Sequence, residues 1–420
     1  MAKSRILFIA PLPPPVHGSA MVSQYIKDSK LVNELHDCDF VNLSTSRRMD
    51  EIGKGGIRKL LRFIGAYFAV FFKLLTHRYD LCYLAITCHG MGFLKDAPFV
   101  LLCKLFSRKV LIHQHNKGMS HCVHRWPYRW LMPLVYRDTR VMLLSWHLYD
   151  DIAAVVKREQ VVICANGIPQ QSNNNPCTLN SKQVGSHTDF TDYTDGKSLT
   201  PLLASGGAAI NEDERLKVKG EWVTAMSATP SPSGEGWGEA PRLLFLSNLI
   251  PSKGVYVLLD ACRMLHKQGL TFVCDFVGGE TMEIDRATFE AAVKERGLEG
   301  IARYQGPKYG EEKERYFAEA DIFVQPTYED CFPLTIVEAM QHRLPVVSTT
   351  EGAVPDLIQH GVNGYAVARK EAAPLAEALA QLITDPALRT AMGEAGYARY
   401  REQYTLEAFE RRFVAQLMQR

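Results

Sequence analysis

The chain opens on a short continuous apolar run, Arg5-Ile-Leu-Phe-Ile-Ala10, bounded by Lys3-Ser4 and a proline-rich turn, Pro11 to Pro15. Such a run reads as a strand buried on both faces of a parallel sheet. His17-Gly18-Ser19 then introduces a helical pattern over about 20–27. The same design returns far downstream: Arg242-Leu-Leu-Phe-Leu-Ser247 is a strand, 248–254 a loop, and 255–265 a helix. Two strand–loop–helix openings some 240 residues apart predict two doubly wound α/β domains. Further strands are expected near 80–86, 109–113, 140–145 and 160–164, then near 271–278, 301–305, 322–325 and 345–348.

Between the halves the pattern collapses. Residues 170–240 are rich in Asn, Ser, Thr, Gly and Pro, with too little apolar surface to offset the entropy of ordering. The expected organisation is therefore 1–169, a disordered insertion at 170–240, and 241–420, with the last helix packing back on the first domain. A length of 420 residues suits two domains.

One periodic segment stands apart. Ile57, Leu60, Leu61, Ile64, Phe68, Phe71, Phe72 and Leu75 share one helical face, with Arg58, Lys59 and Arg62 at its start. A core-packed helix with a solvated side is the preferred reading. An interfacial helix on anionic lipid, extended by Trp126, Tyr128, Arg129 and Trp130, is the alternative. The longest apolar stretch, Phe63 to Phe72, is too short to span a bilayer.

Composition adds a charge asymmetry. Residues 1–167 carry 23 Lys and Arg against 12 Asp and Glu, whereas the remainder carries 25 against 34. The two halves should therefore face different partners. No basic run with interleaved aromatics resembles a nucleic-acid module, so nucleic acid is not expected. The ten cysteines include no C-x-x-C pair. Without a secretory signal at the start, the expectation is reduced thiols in the cytoplasm, with peripheral attachment to the inner face of the membrane.

The most informative segment runs from Ala320 to Met340. A strand ends at Pro326, and Pro333 suits the first position of a helix, where its missing N–H costs nothing. The N–H groups of Leu334 and Thr335 would then form an anion site. Glu338 lies one turn after Leu334, and Asp330 precedes the helix by three residues. Phosphates on the N–H groups and ribose hydroxyls on the carboxylate would together hold a nucleotide.

These residues carry a resemblance. Asp330-x7-Glu338, within Phe-Val-x-Pro-Thr…Cys-Phe-Pro-Leu-x-x-x-Glu-Ala-Met, resembles the Glu-x7-Glu signature of retaining GT-B glycosyltransferases of family 4. So do Ser348-Thr-Thr-Glu-Gly-Ala-Val-Pro-Asp356, Gly361-Val-Asn-Gly364 and Leu246-Ser-Asn-Leu-Ile-Pro-Ser-Lys-Gly254. In the first half, Pro13-Pro-Pro-Val-His-Gly18, Ile112-His-Gln-His-Asn116 and Ala165-Asn-Gly167 are similar to that family too.

The resemblance implies two Rossmann-like domains facing each other across a cleft. It also implies a nucleotide-sugar donor held mainly by the second domain, and a glycan or lipid-linked acceptor bound by the first. The setting it suggests is assembly of a bacterial cell-surface polysaccharide or glycolipid. Glu338 would bind the ribose, Lys253 the diphosphate, and Asp330 would sit beside the sugar. Asn248, Phe332, Pro333, Leu334 and Thr335 would complete the donor site.

There are departures from the family pattern. Asn248 stands where the family usually has Arg. Asp330 replaces the first Glu, with Glu329 an alternative. Arg343 follows the helix where Gly is common, a left-handed position costing a non-Gly residue about 1–2 kcal/mol.

Other candidates carry alternatives. Gly18 either relieves a tight turn or brings its backbone to the donor phosphate. His113 and His115, at a strand's carboxyl end, point to the same side; one should face the cleft, the other being structural. His17 is a weaker candidate. Asp37-Cys38-Asp39 is formally a D-x-D metal pattern but reads as a polar turn before a strand. No cofactor is expected: the sugar nucleotide is substrate, and no metal is called for. Two rivals remain, a sugar-nucleotide epimerase of the same fold and a non-catalytic sugar-nucleotide-binding protein.

Overall fold

A computed structural model describes residues 3–14, 18–44, 56–106, 109–170 and 240–419. The expected insertion lies almost wholly outside the described residues, as does His17. The described residues belong to one compact unit built on two parallel six-stranded sheets.

The first sheet contains β1 (Ser4–Ala10), β2 (His36–Asn42), β3 (Leu81–Ile86), β4 (Val110–Gln114), β5 (Arg140–Leu143) and β6 (Val161–Ile163). Their order is β2-β1-β3-β4-β5-β6. The second contains β7 (Arg242–Leu246), β8 (Val273–Val277), β9 (Ala302–Gly306), β10 (Ile322–Gln325), β11 (Val346–Thr349) and β12 (Gly364–Val367). Their order is β12-β11-β10-β7-β8-β9. In each sheet the order reverses once, between β1 and β3 and between β7 and β10. In such sheets ligands bind outside the carboxyl ends of the strands at that reversal.

The helices that shape this region are α1 (Gly18–Asp28), α2 (Ile57–Thr76), α3 (Gly90–Phe106), α4 (Tyr128–Tyr136), α5 (Val255–Lys267), α6 (Gly310–Glu319), α7 (Leu334–Gln341) and α8 (Leu406–Met418). The continuous apolar strands β1, β3, β4 and β10 form the cores. Helix α8 belongs to the first lobe's core: Phe409, Phe413, Val414 and Leu417 are buried with Phe8, Tyr83 and Leu111. The chain thus ends on the lobe where it began.

Three expectations need correction. Asp37-Cys38-Asp39 is not a turn; it lies within β2, paired in register with Arg5, Ile6 and Leu7. Both carboxylates are engaged, Asp37 by Arg5 at 3.2 Å and Asp39 by Lys73 and the Tyr79 hydroxyl. As an edge strand, β2 lacks the apolar run that identifies a central one. Pro333 is not the first helical residue of α7 but its cap, with φ −70° and ψ 105°. The third correction concerns α2. Only Val70 and Leu74 are buried, and the face expected in the core lies largely at the surface.

Arg343 does adopt the left-handed conformation, at φ 57°. Its guanidinium lies 3.7 Å from the Tyr397 ring centre and pairs with Glu394 at 3.2 Å. These contacts offset part of the cost.

Candidate functional site

The loops leaving β4, β10 and β12, with the start of α3, line a cavity of about 940 Å³. From the first lobe come His89, Gly90, His115, Lys117, His121, Arg125 and Tyr128; from the second, Tyr328, Glu329, Asp330, Arg369 and Lys370. The walls are therefore unequal in charge. The first lobe contributes Lys117, Arg125 and three histidines but no carboxylate. The second adds two carboxylates between further cations.

Lys253 and Asp330 meet at the reversal of the second sheet. Lys253 Nζ lies 2.6 Å from Asp330 Oδ2 and donates to the Glu329 carbonyl at 3.2 Å. The loop after β7 can bring the lysine there because Gly254 has φ 87°. A Cβ at Gly254 would sit 2.2 Å from the Pro326 carbonyl oxygen, so only glycine fits. Between the two acidic candidates, Asp330 is the half-buried partner of Lys253, whereas Glu329 is exposed.

Segment 330–332 is clamped from below. The Ala353 N–H donates to the Cys331 carbonyl at 2.8 Å. Gly352 passes so close that a Cβ would lie 2.2 Å from the Asp330 carbonyl oxygen. Beside it, Glu351 is 1% exposed, bonded to Lys117 from the first lobe and to Arg369 at 2.6 Å. The Asp330 N–H points to it at 3.5 Å. One buried carboxylate thus ties the loop after β4 to the loops after β11 and β12.

Helix α7 starts directly after this segment. Leu334 faces Gly18 across the lobes: a Cβ at Gly18 would lie 3.7 Å from Leu334 Cδ1. The N-terminal ends of α1 and α7 therefore approach one another. Phe332 is buried with its ring 6.1 Å from that of Tyr404, and Thr335 donates its hydroxyl to Gln325 at 2.6 Å. Pro333 holds the cap between them.

Glu338, one turn along, receives Lys313 of α6 at 2.9 Å. Desolvation raises its pKa against the pull of Lys313, and its charge in turn helps to raise that of Tyr25 on α1. Asn248 does something different: its side-chain oxygen accepts the Gly279 N–H at 3.0 Å.

The two histidines separate by depth. Their rings lie on the same side, 4.0 Å apart. His115 lines the cavity, whereas His113 is fully buried behind it, with Tyr83 Oη 2.6 Å from its Nδ1. Burial, helped by His115, pushes the His113 pKa well down, so this ring stays neutral. Asp151 shapes the next loop by accepting the N–H groups of Gly118, Met119 and Ser120 at 2.9–3.1 Å.

The structure joins Lys253 to Asp330 and brings Gly18 against Leu334 at the start of α7. Of the expected catalytic and donor-binding residues, His115 and Asp330 line the cavity, with His113 buried behind His115. Glu338 stands one turn along α7, and Asn248 is turned towards β8. Glu351, Lys117 and Arg369 were missed, although Glu351 belongs to a stretch that carried the family resemblance. No group of three or more His, Cys, Asp or Glu side chains could hold a metal ion among the described residues.

The family model for glycosyl transferases group 1 matches residues 232–399. Over 147 residues the chain is 35% identical to the amylovoran biosynthesis glycosyltransferase AmsK of Erwinia amylovora, covering 34% of this chain and 35% of that protein. The match thus spans about a third of each. Sucrose-phosphate synthase from Thermosynechococcus elongatus aligns in structure over 99% of this chain and 98% of its own, with a TM-score of 0.67 and 16% identity. Anabaena HepE in complex with UDP aligns over 99% of both chains, with a TM-score of 0.65 and 15% identity. The fold is that of these proteins, GT-B.

Proposed function

We propose that this chain belongs to the glycosyl transferases group 1 family, whose model matches residues 232–399, and that it is a retaining glycosyltransferase. It takes a nucleotide sugar as donor and a glycan or lipid-linked group as acceptor. The observation that carries this reading is the pairing of Lys253 with Asp330, three residues before the α7 cap, at the reversal point of the second sheet.

The donor diphosphate lies between Lys253 and the N–H groups of Leu334 and Thr335. There a cation and the positive end of a helix oppose the charge that builds up on the leaving group. The backbone at Gly18 closes the same position from the first lobe. Lys253 exchanges Asp330 for the diphosphate, leaving Asp330 beside the sugar. Glu338 accepts the ribose hydroxyls. His115 contacts the sugar from the first lobe, and neutral His113 holds it in position.

No side chain is placed as a covalent nucleophile in this reading. The acceptor oxygen attacks the anomeric carbon on the face the phosphate leaves. The carbon–phosphate-oxygen bond breaks, and the departing phosphate oxygen takes the acceptor's proton. The acceptor occupies the first-lobe side of the cavity, near His89, His121 and Arg125. The work is done at the inner face of the membrane, in cell-surface polysaccharide or glycolipid assembly.

Glu338→Ala tests the donor half. Loss of a charged acceptor costs roughly 1.5–3 kcal/mol per hydrogen bond, so nucleotide affinity should fall about tenfold or more. Thermal shift with UDP, GDP, ADP and CMP measures it, and UDP is the first choice because HepE binds it. An unchanged affinity in the folded variant would remove the ribose role.

A further inference from the structure

The cavity holds more positive charge than the donor requires. Of its charged lining groups, Lys117 and Arg369 are taken up by the buried Glu351, and Asp330 by Lys253. His89, His121 and Arg125 remain on the first-lobe wall, all three exposed. None of them forms an ion pair with a described residue. Lys370 stands on the second-lobe side, with Nζ 4.7 Å from the Tyr328 ring centre. Against these groups the lining sets one carboxylate without a cation among the described residues, the exposed Glu329. A cleft lined mainly by one sign of charge draws in a ligand of the other.

The backbone holds the first-lobe wall in shape. The N–H groups of Cys122 and Val123 donate to the Met119 carbonyl at 3.0 and 2.9 Å, and that of Arg125 to the Cys122 carbonyl at 2.9 Å. This coil carries His121 and Arg125, four residues apart, onto one wall. Asp151 fixes its start through the N–H groups of Gly118, Met119 and Ser120. Gly118 packs on His89: a Cβ there would lie 3.1 Å from His89 Nδ1. Helix α3 begins at Gly90 on the same wall, so the positive end of a 17-residue helix adds to the field.

The donor diphosphate does not account for this wall, because Lys253, Leu334 and Thr335 do not line the cavity. Asp330 stands between the two sets, lining the cavity and pairing with Lys253. A carboxylate would be satisfied by the Arg125 fork alone. A phosphate carries close to two negative charges and three acceptor oxygens, enough to engage Arg125 and the imidazoles together.

We infer that the acceptor carries a phosphate group, bound on the first-lobe wall by His89, His121 and Arg125. Its part in transfer rests on the glycosyltransferase reading; the phosphate site itself does not. A sugar phosphate in solution and a phosphate at the head of a lipid share this chemistry.

The test is isothermal titration in a Lys253→Met background, which silences the donor-side cation; the unaltered chain saturated with UDP is the second background. Inorganic phosphate and glucose 6-phosphate should bind, glucuronate about tenfold more weakly, and glucose not at all. Arg125→Gln and His89→Gln/His121→Gln should each weaken phosphate about tenfold or more, as expected for lost hydrogen bonds to a charged group. Nucleotide affinity should be unchanged when these substitutions are made in the otherwise unaltered chain. Dihexanoyl phosphatidate binding more tightly than glucose 6-phosphate assigns the phosphate to a lipid-linked acceptor, and the reverse order to a soluble one. Phosphate that binds no better than glucuronate, or equally well after Arg125→Gln, overturns the inference. So does a loss of nucleotide affinity in Arg125→Gln, which would hand that arginine to the donor. Failure of the unaltered chain to bind any nucleotide counts against the glycosyltransferase reading alone.

Discussion

Lys253→Met should yield a folded protein whose sugar transfer is slowed roughly 10²–10³-fold, the loss expected when one preorganised charge is removed from a transition state. The leaving group sets the size of this loss. In the proposed reaction, departure of a nucleotide diphosphate places negative charge beside Lys253 and the N–H end of α7. With Asn248 bonded to Gly279 rather than standing as an arginine, Lys253 is the cation at the end of the β7 loop. Methionine keeps the length of the side chain and removes only its charge. The fall should appear mainly in kcat, because the charge on the diphosphate is greatest as the bond breaks. Steady-state kinetics settle it: a change in KM with kcat intact would make Lys253 a ground-state binder only.

Glu351→Ala should have the largest effect on stability, on the order of 1–3 kcal/mol, because it removes the buried carboxylate that accepts from two partly exposed cations and from the Asp330 N–H. Glu351 joins Lys117 and Arg369, and the Asp330 N–H points to the same carboxylate. Its loss should also slacken the Asp330–Phe332 segment. Transfer should then fall even at temperatures where the variant is fully folded. Glu351→Gln, which preserves shape and one acceptor oxygen, should lose less. Urea titration of the three proteins measures the stability difference. Equal midpoints would mean that the carboxylate contributes nothing to joining the lobes.

Much of this architecture is legible in the sequence, for reasons that individual residues make plain. Strands such as β1 and β10 are mostly apolar because both faces are covered, and Pro333 with its neighbours marks the start of α7. The edge strands are harder. β2 is half solvated and carries Asp37 and Asp39, while β12 is short and opens on Gly364. Helical periodicity identified α2 correctly as amphipathic, but periodicity reports a face and not what covers it.

The histidines show the same limit. Alternation sent both rings to one side, and depth alone then separated the buried His113 from His115 at the cavity. Glu351 was illegible for a different reason. Its partner Lys117 lies 234 residues away, in the other lobe, so the pair exists only once both sheets are assembled.

The proposed reaction is transfer of a sugar from a nucleotide with its anomeric configuration kept. The most direct measurement is proton NMR of the anomeric centre in the product. The reaction would use the nucleotide sugar that stabilises the protein most, with bacterial lipid extract in anionic vesicles as acceptor. A glycosylated product whose anomeric coupling matches the donor's configuration is expected. An inverted coupling would contradict it, as would a donor converted to its epimer with no sugar on any acceptor.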